Sequence, residues 1–231
     1  MDADQPITSR LAAECLGTVL LLTTVVGSGI MGAKLASGNV AIALLANSLA
    51  TGAALVVLIW VFGPISGAHF NPVVTGTIGW REGWRLSEVG LYLLVQVVGA
   101  VLGVWLAHVM FDLPTLQLST TVRTGFAQWV AEAVATFGLL LTILGCVSRN
   151  PSVTPMAVGL YITAAYWFTA STSFANPAVT IARSLTDTFA GIAPGGAPAF
   201  IVSQAVGALL AVGVAASLWP RTDGGLQRPS A

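Results

Sequence analysis

Two related stretches of the sequence decide the fold: Gly67-Ala68-His69-Phe70-Asn71-Pro72-Val73-Val74-Thr75 and Ser173-Phe174-Ala175-Asn176-Pro177-Ala178-Val179-Thr180. Both place asparagine before proline, and this pair starts helices. The asparagine side chain caps free backbone N–H groups, and proline has the φ angle of the first turn. Each stretch follows a long apolar segment and precedes only about ten residues that suit a helix, too few to cross a bilayer core of roughly 30 Å. The pattern predicts two short helices that begin inside a membrane and bring their positive ends to its middle.

The composition agrees with a membrane protein that crosses the bilayer several times. Of the 231 residues, 55% are hydrophobic and 8% are charged, whereas about a quarter of the residues of a soluble domain are charged. Nine basic and nine acidic residues cancel, so no basic patch indicates nucleic acid. Cys15 and Cys146 lie in apolar segments and form neither a disulfide framework nor a zinc pattern. We expect the lipid bilayer as a partner, no nucleic acid, no metal and no cofactor.

Six segments are long enough to cross a membrane, which predicts an all-α membrane protein with six transmembrane helices and two re-entrant half-helices. The segments cover about residues 10–32, 40–62, 87–111, 126–148, 153–171 and 197–219. The acidic N-terminus lacks a basic leader, so the first segment is expected to remain as a span. The fifth segment is the least apolar, since it holds Tyr161, Tyr166 and several hydroxyl side chains. Its polarity indicates that it lines a wet space.

The chain is predicted to form a single domain, 1–231, whose halves repeat each other over about residues 9–115 and 124–220. Three spans in each half mean that the second half enters the membrane with the opposite orientation. An inverted repeat with interrupted helices indicates a site near the membrane midplane, between the halves. The matching features are Glu14 with Glu132, Asn71 with Asn176, and Gln96 with Gln204.

The basic residues predict the orientation. With a cytoplasmic N-terminus, six of them face the cytoplasm and three lie outside or in the outer half of the membrane. The cytoplasmic set is Arg10, Arg81, Arg85, Arg149, Arg221 and Arg228, and the outer set is Lys34, Arg123 and Arg183. The excess favours cytoplasmic N- and C-termini under the positive-inside rule.

With its two Asn-Pro boxes, six spans and the run Ser-Gly-Ala-His-Phe-Asn-Pro at residues 66–72, the chain resembles the aquaporin and glycerol-facilitator family. The resemblance covers about residues 9–220. It implies a right-handed six-helix bundle with its own pore, assembled as a homotetramer in the plasma (bacterial inner) membrane. The implied function is a passive channel for small neutral solutes, and the chain is expected not to be an enzyme. Residues 176–191 resemble those of a bacterial branch of the family, whose wide filter suits arsenic-type solutes.

Three residues from each box are predicted to form the middle of the pore. Asparagine amides would donate to a solute oxygen, while the facing helix ends repel cations and protons, as in the general account of aquaporin selectivity. A plain helix cap is the alternative role for each asparagine. Val73 stands where the family usually has alanine, which we interpret as a tolerated change in packing. The predicted midplane residues are Asn71, Pro72, Val73, Asn176, Pro177 and Ala178.

The resemblance also implies a selectivity filter. Val179 stands where many family members have an arginine, and the offsets from the two asparagines give the other positions as Thr51, Ala164 and Ser173. These side chains are small and uncharged. The implied filter is wide and free of arginine, and it would pass polyols, urea-like molecules or neutral metalloid hydroxides such as arsenite.

Two further residues are candidates for the pore mouths. Arg183 lies one helical turn beyond Val179, so its guanidinium either reaches the outer mouth or pairs with Asp187 at the surface. His69 either lines the cytoplasmic approach or bonds within its own loop.

Glu14 and Glu132 are ionisable groups inside spans, which makes them functional candidates. Their symmetry favours structural support of the re-entrant loops, by accepting hydrogen bonds from backbone N–H groups. Proton coupling is the alternative role, and with it a coupled secondary transporter. A third reading is an intramembrane hydrolase that uses Ser66 and His69, but the sequence lacks the G-x-S-x-G elbow.

Overall fold

The computed structural model describes residues 5–219, and every regular element in that range is helical. The predicted positions of Arg221, Arg228 and the C-terminus lie outside the described residues. The helices are α1 (Ile7–Leu35), α2 (Val40–Ser66), α3 (Pro72–Glu82), α4 (Leu86–Met110), α5 (Phe126–Arg149), α6 (Thr154–Phe168), α7 (Pro177–Arg183) and α8 (Ala197–Leu218), with 3-10 turns at Pro151–Val153 and Pro194–Gly196.

Within residues 5–219, five helices are long and apolar enough to cross a membrane: α1, α2, α4, α5, and α8 together with its preceding turn. The fifth predicted span differs from the expectation, since α6 has only 15 residues and ends at Phe168. It ends early because Thr169 is already extended and Thr172 has a left-handed φ of 62°. α6 packs against α2 and α5, and the chain then turns directly into the second re-entrant stretch.

The half-helices α3 and α7 have 11 and 7 residues, and each begins at the proline of an Asn-Pro pair. The Oδ1 atom of Asn71 accepts a hydrogen bond from the backbone N–H of Val73 at 3.1 Å. Asn176 caps α7 in the same way, accepting from the N–H groups of Ala178 and Val179 at 2.9 and 3.2 Å. The two half-helices contact each other, so their positive N-terminal ends meet inside the bundle.

The two halves have the same packing, with α1 against α4 in the first and α5 against α8 in the second. Glycines permit both close approaches. A Cβ added at Gly103 would overlap the carbonyl oxygen of Val19, and one added at Gly207 would overlap that of Ala133. Small residues therefore bring the backbones of these helices into contact, as is common between membrane helices.

The segment 111–125, which links the halves, lies along residues 184–193, which follow α7. The backbone N–H of Ser119 donates to the Ser184 carbonyl at 2.9 Å. Thr120 donates from its N–H and its hydroxyl to Asp187, at 2.8 and 2.9 Å, and these bonds hold the pKa of the Asp187 carboxyl below its usual value. The path after α7 is thus set by a segment distant in sequence.

We expect Gly207→Ala to destabilise the folded protein by about 1–3 kcal/mol, because the new methyl group overpacks the α5–α8 contact. The thermal midpoint in detergent should fall by at least about 2 °C. Gly213→Ala, in the same helix but with open space at its Cβ position, is the matched control and should not lower the midpoint. An equal midpoint for both variants would contradict this packing.

Candidate functional site

A cavity of about 580 Å³ lies between the two halves of the bundle. Residues from both re-entrant stretches line its middle, where Asn71 and Asn176 lie. Trp84 and Ser152 line the end near the starts of α4 and α6, and Arg183 lines the opposite end. The cavity therefore passes between the two half-helices.

The carboxylate of Glu14 in α1 holds the first re-entrant stretch. It is fully buried and accepts the backbone N–H groups of His69 and Phe70 at 2.9 and 2.8 Å. The hydroxyl of Ser66 donates to the same carboxylate at 2.7 Å, and the Nε2 of Gln96 donates at 2.8 Å. All these bonds run to one buried charge, which fixes the path of the loop.

Glu132 in α5 does the same for the second stretch. It is also fully buried and accepts the N–H groups of Phe174 and Ala175 at 2.8 and 2.9 Å. The Nε2 of Gln204 donates to it at 2.6 Å and to the hydroxyl of Thr180 in α7 at 2.8 Å. The residues that repeat in the two halves of the sequence therefore form equivalent hydrogen-bond networks in the structure.

The re-entrant backbone is strained in the same way in both halves. Ala68 and Phe70 have φ angles of 50° and 49°, and Ser173 and Ala175 have φ angles of 51° and 47°. A non-glycine residue in this left-handed region costs roughly 1 kcal/mol or more. Because the backbone between these residues belongs to no helix, its carbonyl groups are available as acceptors along the cavity.

The two asparagine amides link the halves to each other. The Nδ2 of Asn71 donates to the carbonyl of Ala175, and the Nδ2 of Asn176 donates to the carbonyl of Phe70, both at 2.8 Å. A side-chain amide has two N–H donors, so each asparagine keeps one for a molecule in the cavity. The asparagines are therefore helix caps, links between the halves and cavity-lining donors at once.

The other four residues predicted at the midplane support these asparagines without lining the cavity. Pro72 and Pro177 are the first residues of α3 and α7. Ala178 is fully buried in the larger of two hydrophobic clusters. Val73 packs against the smaller cluster, which contains Leu140. The extra bulk of Val73 therefore lies in a packed contact, and its effect on the pore stays a prediction.

Three of the four residues predicted for the filter, Thr51, Ser173 and Val179, line the cavity on the Arg183 side. The prediction for Ala164 is wrong: this residue is exposed on the outer side of α6. Tyr166 lies in the cavity wall instead, with its hydroxyl 3.3 Å from that of Thr51. The position was predicted by counting residues back from Asn176. This count gives the wrong face of α6 because the helix ends at Phe168 and the residues after it are not helical. The polarity of the fifth span was the signal that pointed to Tyr166.

Arg183 also lies in this part of the cavity wall, so the filter region is not free of arginine, contrary to the expectation. Its side chain is 2% exposed, its Nε donates to the carbonyl of Ala190, and its Cζ lies 3.4 Å from the ring centre of Phe174. The alternative pairing with Asp187 is wrong, because Asp187 bonds to Thr120 instead. Phe174 was not anticipated as a contact of this arginine.

His69 lies in the cavity wall, and its ring bonds to a residue of α3 rather than within its own loop. Its Nδ1 lies 3.1 Å from the hydroxyl of Thr75 within the same half, and its ring also lines the cavity. The ring stacks on that of Trp84 with centroids 5.6 Å apart. The end of the cavity at Trp84 is therefore aromatic, whereas the end at Arg183 carries a guanidinium.

The fold and the cavity define a class of protein: a multi-pass membrane channel with a polar midpoint between two half-helices. The sequence pattern of the family described as Major intrinsic protein matches residues 4–173. The chain belongs to this family, which consists of channels rather than enzymes, and its site is that of a passive channel for small neutral solutes.

Individual relatives agree with this assignment. The chain is 53% identical to aquaglyceroporin AqpS of Rhizobium meliloti over 206 residues, which covers 89% of this chain and 88% of that protein. It is 36% identical to aquaporin Z of Photorhabdus laumondii over 65% of this chain and 71% of that protein. The X-ray structure of the aquaglyceroporin from Plasmodium falciparum is similar with a TM-score of 0.68 at 22% identity, covering 90% and 95% of the two chains. This likeness confirms the predicted aquaporin-like fold.

We expect Glu132→Gln to destabilise the protein by about 1.5–3 kcal/mol, the usual contribution of a hydrogen bond to a charged group. The glutamine would place an N–H group against a loop N–H that now has an acceptor. The thermal midpoint in detergent measures the effect, with Asp112→Asn, at an exposed site, as the control for charge removal. Equal midpoints for the two variants would show that Glu132 does not support the loop.

Proposed function

We propose that this channel passes small uncharged hydroxyl compounds larger than water, namely polyols and neutral metalloid hydroxides such as arsenite, and possesses a filter that Arg183 shares with uncharged side chains. The observation that carries the proposal is the cavity centred on Asn71 and Asn176, each with a free amide donor. The name aquaglyceroporin, borne by the relative that is 53% identical, supports solutes beyond water.

The solute is recognised by alternating donors and acceptors. The asparagine amides donate to solute oxygens, and the carbonyl groups of the re-entrant stretches accept from solute hydroxyls. A neutral hydroxyl compound replaces its hydration at both kinds of site as it moves. A cation meets the positive ends of α3 and α7 instead, and therefore faces a barrier.

The outer filter is proposed to consist of Thr51, Tyr166, Ser173, Val179 and Arg183. The hydroxyl of Ser173 has no hydrogen-bond partner among the described residues, although its oxygen is buried. A buried polar atom without a partner is costly, and this one belongs to a residue of the cavity wall. It is suited to bond a passing hydroxyl group, while Val179 offers an apolar surface to the solute's carbon face.

A coupled secondary transporter is the alternative function. Coupling of solute transport to protons would need a carboxylate that can bind and release a proton while it faces the solute pathway. Glu14 and Glu132 instead have their oxygens taken up by loop N–H groups and by Gln96 and Gln204. These contacts favour the passive channel.

The protein is further proposed to lie in the bacterial inner (plasma) membrane as a homotetramer with cytoplasmic N- and C-termini. The excess of basic residues on the inner side supports the orientation. Many large apolar side chains on the outer surface of the bundle are exposed, among them Leu94, Leu209 and Val202, which suits contact with lipid or with neighbouring subunits.

Stopped-flow light scattering of proteoliposomes tests the proposed function. Vesicles with the protein should admit glycerol and neutral arsenous acid faster than empty vesicles, and neither solute should accumulate above its outside concentration when a proton gradient is imposed. Equal rates with and without protein would contradict the channel. Accumulation driven by the proton gradient would instead establish the coupled transporter.

We expect Ser173→Ala to lower glycerol permeability roughly 2- to 10-fold, the effect of losing one hydrogen bond at the narrow part of the path. Water permeability should fall less, since water needs fewer simultaneous partners. Ser184→Ala, whose hydroxyl bonds only to the Ile181 carbonyl at an exposed site, serves as the control and should leave both rates unchanged. An unchanged glycerol rate in Ser173→Ala would remove Ser173 from the filter.

A further inference from the structure

A second arginine lies just behind the outer mouth. Arg123 is the basic residue of the segment 111–125 and is half-buried. Its Nε donates to the carbonyl of Gly191 at 2.8 Å, its Nη2 to that of Phe189 at 3.4 Å, and its Nη1 to that of Ser171 at 3.5 Å. Arg123 is not among the residues that line the cavity, so any effect on solute must pass through other residues.

Arg123 and Arg183 are held by the same short piece of backbone. Arg123 binds the carbonyls of Phe189 and Gly191, and Arg183 binds the carbonyl between them, that of Ala190. Three consecutive carbonyl groups are thus divided between two guanidinium groups. Both cations also contact one aromatic ring, since their Cζ atoms lie 5.5 and 3.4 Å from the centre of Phe174.

The direct contacts of these two charges are carbonyl groups and the Phe174 ring. Within residues 5–219, neither Arg123 nor Arg183 takes part in a salt bridge, unlike Arg10, which pairs with Glu88 at the other end of the bundle. Two like charges close to one ring repel each other. Arg123 therefore occupies the neighbouring acceptors and opposes any movement of the Arg183 guanidinium toward them.

We infer that Arg123 is a positioning residue for solute selection: by holding the carbonyls of Phe189 and Gly191, it keeps the guanidinium of Arg183 in the solute path. Without Arg123, these two carbonyls become free, and Arg183 can swing out to bind them. The outer mouth then widens and loses its fixed donor. This inference rests on the proposed channel function and adds a residue outside the cavity to its filter.

The test is the ratio of glycerol to water permeability, measured by stopped-flow light scattering on full-length protein in proteoliposomes. A ratio is independent of how much folded protein each preparation contains, so a purely structural role of Arg123 would not change it. Arg123→Met should raise the ratio roughly 3- to 10-fold, because the mouth that the Arg183 guanidinium leaves is wider and a wider constriction favours the larger solute. Lys34→Met removes a positive charge from an exposed site near the outer end of α1 and should keep the wild-type ratio.

A double variant separates positioning from a direct effect. Arg183→Ala should shift the ratio in the same direction, and adding Arg123→Met to it should cause no further shift, because both changes remove the same group from the path. Additive shifts in the double variant, or a wild-type ratio in Arg123→Met, would overturn the inference.

Arg123→Lys covers the case in which the methionine variant does not fold. A lysine keeps the charge but lacks the planar fork that reaches several carbonyls at once, so we expect an intermediate ratio, and the wild-type ratio would count against the inference. Wild-type vesicles that admit glycerol no faster than empty ones would instead refute the proposed function itself.

Discussion

The structure depends on two buried carboxylates that satisfy the backbone of two chain segments inside the membrane. Each unpaired N–H group would cost several kcal/mol in a hydrocarbon environment, and each re-entrant stretch also carries residues in the left-handed region. Glu14 and Glu132 each accept two of these N–H groups. Each bond to a charged acceptor contributes about 1.5–3 kcal/mol, enough to offset the backbone strain.

Gln96 and Gln204 in turn bind the carboxylates and connect them to the half-helices. The cavity exists because this network keeps the backbone open there instead of closing it into a helix.

The middle of the channel is symmetric, and we propose that the residues that depart from the symmetry determine its selectivity. The two asparagines cross-link the halves with equivalent bonds, so the midpoint offers the same donor from both sides. The mouths differ. His69 and Trp84 stack at one of them, whereas Arg183 contacts Phe174 at the other. The segment that links the halves bonds to the residues that follow α7, which places contacts distant in sequence beside the mouth at Arg183. In the proposed mechanism, the filter of this channel depends on the linking segment as well as on the symmetric scaffold.

The sequence predicts the scaffold well and the filter less well, for physical reasons. The Asn-Pro pairs, the glutamates and the glutamines recur in both halves, and an inverted repeat brings such partners together near its axis. Ala164 was wrongly placed because counting along the chain assumes an unbroken helix, while α6 ends at Phe168. The position of Arg183 could be narrowed to two alternatives by helical spacing. The choice between them depends on residues 184–193, whose path is fixed by contacts with Ser119 and Thr120. Such contacts leave no periodic signal in a single sequence.

The central claim is that two carboxylate-supported stretches hold a continuous passage open between Asn71 and Asn176. A high-resolution experimental structure in lipid nanodiscs with glycerol present tests it most directly. The account predicts solute or solvent density in single file past both asparagine amides, with each glutamate carboxylate within hydrogen-bond distance of its two loop N–H groups. Packed side chains that close the space between the two amides, or loop N–H groups turned away from the carboxylates, would contradict it.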